Sequence, residues 1–189
     1  MFLLITLAGS TPLTAQSFTG EFRLLGAAAY AGRVIDTVGY GYVAGPPPGG
    51  SMAGLMADLS FTTGRLRLGP EGFVFRGSVR RVWSLGGIAR YEFSQARIRP
   101  YALLGAGGYS WSRRIVVDPP PGTVGERYRQ WESDINYFSM SLGAGVALGP
   151  PGGKLALVAE LRGHRSVQRG GVGGPRSMVS LGVGGRYRW

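Results

Sequence analysis

Apolar and polar residues alternate along most of this chain with a period of two, and the alternation is cleanest at its end. Val179, Leu181, Val183, Gly185, Tyr187 and Trp189 take every second position, separated by Ser180, Gly182, Gly184, Arg186 and Arg188. A pleated strand sends such residues to two opposite faces, whereas a helix would scatter them around its circumference. An aromatic-rich strand at a chain end leaves an unpaired edge that invites aggregation, so it needs a partner. A closed barrel, in which the last strand pairs with the first, supplies one.

The same period recurs upstream. Phe18, Gly20, Phe22 and Leu24 oppose Thr19, Glu21 and Arg23, predicting a first strand. Val34, Val38, Tyr40, Tyr42 and Ala44 predict a second, ended by the Gly45-Pro46-Pro47-Pro48-Gly49-Gly50 turn. Ala53, Leu55, Ala57, Leu59 and Phe61 predict a third, and Trp83, Leu85, Gly87, Ala89, Tyr91 and Phe93 a fourth. A fifth runs from Arg97 to Ser112 with Tyr101, Leu103, Gly105, Gly107, Tyr109 and Trp111 on one face. The sixth spans Phe138 to Leu148, the seventh Leu155 to His164, and the terminal strand is the eighth. Residues 63–81 fit less well: Leu66, Leu68, Phe73, Val74 and Phe75 flank Gly69-Pro70-Glu71-Gly72, and either extend the neighbouring strands or form a separate hairpin.

Connections are short near 45–50, 94–96 and 149–153, and longer near 63–80, 113–133 and 167–176; the first, near 31–33, is an exception. An even strand number, short turns alternating with long loops and a C-terminus on the short-turn side describe an eight-stranded antiparallel up-and-down transmembrane β-barrel. Its domain is residues 16–189. Before it, Phe2 to Ala8 is apolar and Leu13-Thr14-Ala15 precedes Gln16, the pattern of a signal peptide over residues 1–15. No later run reaches the ~18 apolar residues of a membrane helix, so any crossing is made by strands.

Alternation does not say which face is inside, and a soluble lipocalin-like ligand-binding barrel also has eight strands, with its apolar face inward. The polar faces decide between them. They carry Glu21, Arg23, Asp58, Arg90, Glu92, Glu160, Arg162 and Arg186, four acids and four bases, among Ser, Thr, Gly and Ala. A solvated exterior would bear many more charges. This set suits a narrow interior, as a hydrogen-bonded ion network in which Glu21 and Arg186 are neighbours through barrel closure. Side chains fill an interior of this size, so no permanent aqueous pore is expected. On the apolar face, Tyr101 and Tyr109 are separated by about 26 Å of strand, a height near ~20 Å at a usual tilt. With Trp111 they are the expected interface aromatics.

Composition adds three constraints. Glycine supplies 34 of 189 residues, roughly 18 per cent against a usual ~7 per cent, without a collagen period, so it serves crowding, twist and turns. Cysteine is absent, which excludes disulfides and thiolate zinc sites. The formal charge of +11 comes from basic residues spread singly or in pairs, with no module to present them to a groove, so nucleic acid is excluded as a partner. The long-loop side instead carries Arg65, Arg67, Arg76, Arg80, Arg81, Arg113, Arg114, Arg165, Arg169 and Arg176. Arginine grips phosphate bidentately, so outer-leaflet lipid, with lipopolysaccharide phosphates in particular, or an acidic partner is expected there.

Gly184, Tyr187 and the terminal Trp189 resemble the C-terminal sorting signal of bacterial outer-membrane β-barrels. The segment Arg99-Pro100-Tyr101-Ala102-Leu103-Leu104-Gly105-Ala106-Gly107-Gly108-Tyr109-Ser110-Trp111 is similar to the fifth strand of the small OmpA-like and OmpX-like barrel domains. This resemblance implies a monomer in the bacterial outer membrane, inserted by the barrel-assembly machinery, with its C-terminus facing the periplasm. It implies little about activity.

Candidate chemistry is sparse. His164-Arg165-Ser166 resembles the His-x-Ser segment of lipid A deacylases, in which a histidine would deprotonate the serine for attack on an ester. That alternative, a lipid A-modifying barrel esterase using His164 and Ser166, departs from the family pattern twice: Val167 stands where an Asn is found, and no Asp or Glu follows Glu160 to orient the ring. One histidine and scattered acids form no metal-ligand cluster. Gly170-Gly171-Val172-Gly173-Gly174 lacks the Lys and helix of a phosphate loop. The expectation is a structural or surface-interaction barrel without catalysis, cofactor or metal.

Overall fold

The computed structural model describes residues 19–31, 50–78, 80–117, 128–133, 137–166 and 177–189, with side chains except at 113–117, 128–133 and 137. Nine strands lie among these residues: β1 (Thr19–Ala31), β2 (Gly50–Thr63), β3 (Leu66–Arg76), β4 (Arg80–Glu92), β5 (Ile98–Val117), β6 (Tyr128–Ser133), β7 (Tyr137–Leu148), β8 (Leu155–Ser166) and β9 (Ser177–Arg188). All pair antiparallel in the order β4-β3-β2-β1-β9-β8-β7-β5-β6, and β4 also pairs with β5, which closes the sheet on itself. β7 pairs with Ile98–Tyr109 of β5 while β6 pairs with Ser112–Val117 further along. β6 and β7 therefore act as one interrupted stave, and the barrel has eight.

Closure rests on β1 and β9, in register from Glu21↔Arg188 to Ala31↔Met178. It removes both sheet edges and satisfies backbone groups that no solvent could reach inside a bilayer. Beyond Arg113 the β5–β6 ribbon has no barrel neighbour on its β4 side and projects past the rim.

The stave count agrees with the sequence pattern, but one stave is a different segment. Residues 63–81 form neither extensions of their neighbours nor an isolated hairpin. They hold β3, a full stave between β2 and β4. Pro70 hides it, because a proline has no N–H to give a ladder. The β2–β3 register accordingly skips from Asp58↔Glu71 to Phe61↔Leu68 around it, while β4 continues the pairing through Pro70↔Gly87. The second strand expected at Val34 to Ala44, with the turn after it, lies outside the described residues, and β1 pairs directly with β2.

This shifts the connections into a regular scheme. The rim that bears Thr19 and Trp189, called here the near rim, also carries the turns at 64–65, 93–97 and 149–154. Gly64 and Gly152 occupy two of these turns at φ +62° and +70°, a conformation that tight turns require and side chains resist. The far rim carries the connections 32–49, 77–79, 118–127 and 167–176. Arg65 and Arg67 therefore belong to the near rim and not to the long-loop side.

Along β1, β2, β4, β7, β8 and β9 the apolar face points outward, as alternation suggests. β5 is reversed. Tyr101, Leu103, Tyr109 and Trp111 are buried in the lumen, and Leu104 faces outward instead. Leu103 is 2% exposed, against 69% for Leu142 on the adjacent stave.

Candidate functional site

The near half of the lumen is an ion network built by residues from six staves. Arg23 on β1 lies 2.6 Å from Asp58 on β2 and 2.8 Å from Glu160 on β8. Asp58 passes the chain to Arg90 on β4 at 2.7 Å, and Arg90 to Glu21 at 2.6 Å. Glu21 also meets Arg67 at 3.0 Å and Arg186 at 3.5 Å, while Glu92 bridges the same two arginines at 3.0 and 2.7 Å. At the other end Arg162 joins Glu160 at 2.6 Å and Glu71. Each side chain is buried, so each charge has lost its water and retains only its partners as compensation.

The structure thus brings together all eight polar-face residues, Glu21, Arg23, Asp58, Arg90, Glu92, Glu160, Arg162 and Arg186, and sets Glu21 beside Arg186 across the β1–β9 seam. Sequence reasoning misses Arg67 and Glu71, which lie on the unrecognised β3. It also misses Tyr101, whose hydroxyl lies 2.9 Å from Glu160 and accepts from Arg23 at 3.0 Å. The Tyr101 ring lies under the guanidinium carbons of Arg23 and Arg90, at 5.6 and 5.4 Å from its centroid. A phenol with a polar tip and a cation-binding face is better placed here than among lipid tails. Gly145, its cross-strand partner, leaves the room: a Cβ there would collide with the Tyr101 hydroxyl.

The far half of the lumen is filled mainly by apolar side chains. Leu25, Met52, Met56, Phe73, Phe75, Val82, Tyr109, Trp111 and Met178 pack into one cluster above the ions. Tyr109 and Trp111 are therefore plug residues and not interface aromatics, which corrects the expectation for all three β5 aromatics. Arg80, expected among the surface arginines, is also buried in the lumen.

The outer surface does carry aromatic girdles, made by other residues. Phe22, Phe61, Tyr91, Phe93, Tyr187 and Trp189 are exposed near the near rim, and Tyr30, Trp83 and Phe138 toward the far rim. Phe22 and Tyr30 lie eight residues apart on β1, as do Trp83 and Tyr91 on β4, spanning a height of about 20 Å. Between them the exposed side chains are apolar, including Leu24, Leu55, Leu85, Leu142, Leu157, Leu161, Leu181 and Val183. Such a belt dissolves in hydrocarbon and not in water. The soluble lipocalin-like alternative requires the reverse arrangement and is overturned.

In the C-terminal segment, Tyr187 and Trp189 stack on the outside with centroids 6.3 Å apart. The Trp189 indole covers Gly20, and its backbone N–H donates to the Gly20 carbonyl at 3.1 Å. Gly184 faces the lumen, pressed so close to Leu24 and Leu25 that a Cβ would overlap their backbone.

His164 is buried, with Nε2 3.0 Å from Ser180 Oγ and its ring edge-on to Phe73 at 4.9 Å. Ser166 shares a crevice with it that has no room for a water molecule, and among the described residues no carboxylate contacts the imidazole. This geometry offers neither an oriented base nor space for an acyl chain. No metal-binding group of His, Cys, Asp and Glu occurs among the described residues. Of the arginines expected to form a basic outer surface, Arg76, Arg81 and Arg165 are exposed at the far rim, and the side chains of Arg113, Arg114, Arg169 and Arg176 lie outside those described.

No protein-family model matches the chain, and no curated protein resembles it in sequence. Its structure is similar to that of Neisserial surface protein A (NspA), with a TM-score of 0.59 at 15% identity over 91% of this chain and 97% of that one. It is similar too to the N-terminal β-barrel domain of Pseudomonas aeruginosa OprF, with a TM-score of 0.51 at 17% identity over 90% and 97%. Both are outer-membrane barrels of eight strands, and the chain shares their fold.

Proposed function

We propose that the protein is an integral barrel of the bacterial outer membrane with a structural or surface-interaction role and no catalytic one. The observation that carries this reading is the inverted distribution of polarity, with leucines and aromatics on the outside and a closed ion network within. Outward side chains dissolve in lipid, closure satisfies the backbone, and the plugged lumen denies solutes a continuous path. The fold shared with NspA and OprF supports the location. A folded membrane barrel resists detergent, so unheated protein is expected to migrate differently from boiled protein in a dodecyl sulfate gel. Identical migration of the two samples, with refolding conditions varied, would count against the reading.

The near rim bears Trp189 and only short turns, whereas the longest connections lie at the far rim, and this supports a periplasmic C-terminus. Outward Tyr187 and Trp189 are available to the barrel-assembly machinery before β9 closes on β1. At the far rim, the exposed, cross-strand-paired Arg76 and Arg81 suit the phosphorylated sugars of lipopolysaccharide. Replacing both with Ser, together with Arg113 and Arg114 on the neighbouring stave, is expected to weaken lipopolysaccharide binding by the refolded protein. Unchanged binding would remove that role for the loops.

A further inference from the structure

The near half of the lumen has more positive charge than its carboxylates can match. Every carboxylate with a described side chain, Glu21, Asp58, Glu71, Glu92 and Glu160, is already in the network. Against these five stand the five arginines paired with them, Arg188 at the rim, and Arg99. Arg188 reaches Glu21 at 3.5 Å, a site already shared by three other guanidiniums. Arg99 has no ion pair among the described residues. Among the described residues its one hydrogen bond is a long one of 3.4 Å from Nη1 to the Pro150 carbonyl, although the side chain is 2% exposed and its Nε and Nη2 have no partner there. A guanidinium buried in protein without a counter-charge is unfavourable.

The space beside it explains the imbalance. A vestibule of about 560 Å³ opens at the near rim, lined by Arg67, Arg99, Arg188, Glu92, Thr62 and Gln95 among others. Beside it, Arg67 Nη1, Arg188 Nε and Thr62 Oγ1 join the Arg99 atoms as buried polar groups without protein partners among the described residues. Glu92, the one carboxylate in the lining, is engaged by Arg67 and Arg186 and does not neutralise Arg99.

We infer that this mouth is an anion seat for a phosphate group, held by Arg99 and Arg188 with Arg67 behind them. A phosphate dianion supplies the two negative charges the near half lacks, where a carboxylate supplies one, and its oxygens match the bidentate geometry of arginine. The vestibule accommodates a small phosphorylated molecule, and equally a lipid headgroup reaching in from the rim. That it opens on the periplasm rests on the orientation proposed above; that it binds phosphate does not.

The test is calorimetric titration of the refolded barrel in a non-ionic detergent with inorganic phosphate, at ionic strength held constant with chloride. Glycerol 3-phosphate and acetate are run in parallel. Saturable phosphate binding is expected, weakened about tenfold or more by Arg99→Gln and unaltered by Arg76→Gln at the opposite rim. Tighter binding of glycerol 3-phosphate than of phosphate identifies a headgroup, and the reverse a free anion; either supports the seat. Absence of saturable binding to the wild-type barrel, binding of acetate as strong as that of phosphate, or equal losses in both variants would overturn it. Should Arg99→Gln fail to refold, Arg99→Lys keeps the charge and removes the fork, and wild-type affinity in that variant would overturn the assignment too. A barrel that shifts on boiling yet ignores phosphate sinks this inference alone and leaves the membrane reading standing.

Discussion

Asp58 shows how much a single carboxylate does in this lumen: its two oxygens hold Arg23 on one side at 2.6 Å and Arg90 on the other at 2.7 Å, while the Tyr101 ring receives both guanidiniums on its face. Asp58→Ala would remove the carboxylate between two buried cations and leave Arg23 only Glu160 and Arg90 only Glu21 among the described carboxylates, so urea unfolding in lipid vesicles should register a loss of about 3–5 kcal/mol. Arg76→Ser, on the exposed far rim, should change stability by no more than about 0.5 kcal/mol. Equal effects would mean the lumen is wetter than its packing implies. Much of this network is legible in the sequence, because a charge at alternate positions opposite leucines has one dry place to go. Arg99 is not legible, for a specific reason. It shares parity with Tyr101, and a strand whose large aromatics are assumed to meet lipid carries its arginine outward with them.

β5 and β3 defeat simple alternation in different ways. From Pro100 to Ser112 on β5 both faces are apolar or small, Tyr, Leu, Gly and Trp on one and mainly Ala, Leu, Gly and Ser on the other, so period alone cannot choose between them. The choice is made by hydrogen bonding: Tyr101 has partners inside, and lipid provides none. β3 is obscured by Gly69-Pro70-Glu71-Gly72, which has turn composition yet lies flat in the wall. Glycine in these staves also permits close approach. Gly86 and Gly107 are register partners on β4 and β5, and a Cβ on Gly86 would stand 2.7 Å from the Gly107 Cα. Gly86→Val must push the two staves apart, with an expected loss of about 1–3 kcal/mol and reduced refolding yield. Gly87 points to the other face, where a Cβ meets nothing nearer than 3.8 Å, so Gly87→Val should be neutral or mildly stabilising through strand propensity. If the two variants unfold alike, the closeness of β4 and β5 does not govern stability.

For the whole molecule, the fold class follows from the sequence, and the count of eight is reached there with Val34 to Ala44 in place of β3. The division of the lumen into an ionic near half and a mainly apolar far half, by contrast, emerges only when strands distant in sequence are set side by side. That division makes the barrel a plugged cylinder, polar where the turns are tight and greasy beneath the longer connections. The inside-out distribution of polarity is the central claim, and Trp83 and Trp111 report on it directly. They lie on adjacent staves near the same height, Trp83 49% exposed on the outer wall and Trp111 fully buried in the lumen. Variants retaining one or the other, with the remaining three Trp residues changed to Phe, can be refolded into vesicles whose acyl chains carry bromine. Bromolipid is expected to quench most of the Trp83 fluorescence and leave that of Trp111 nearly intact. Strong quenching of Trp111 with Trp83 spared, or equal quenching of both, would contradict the account.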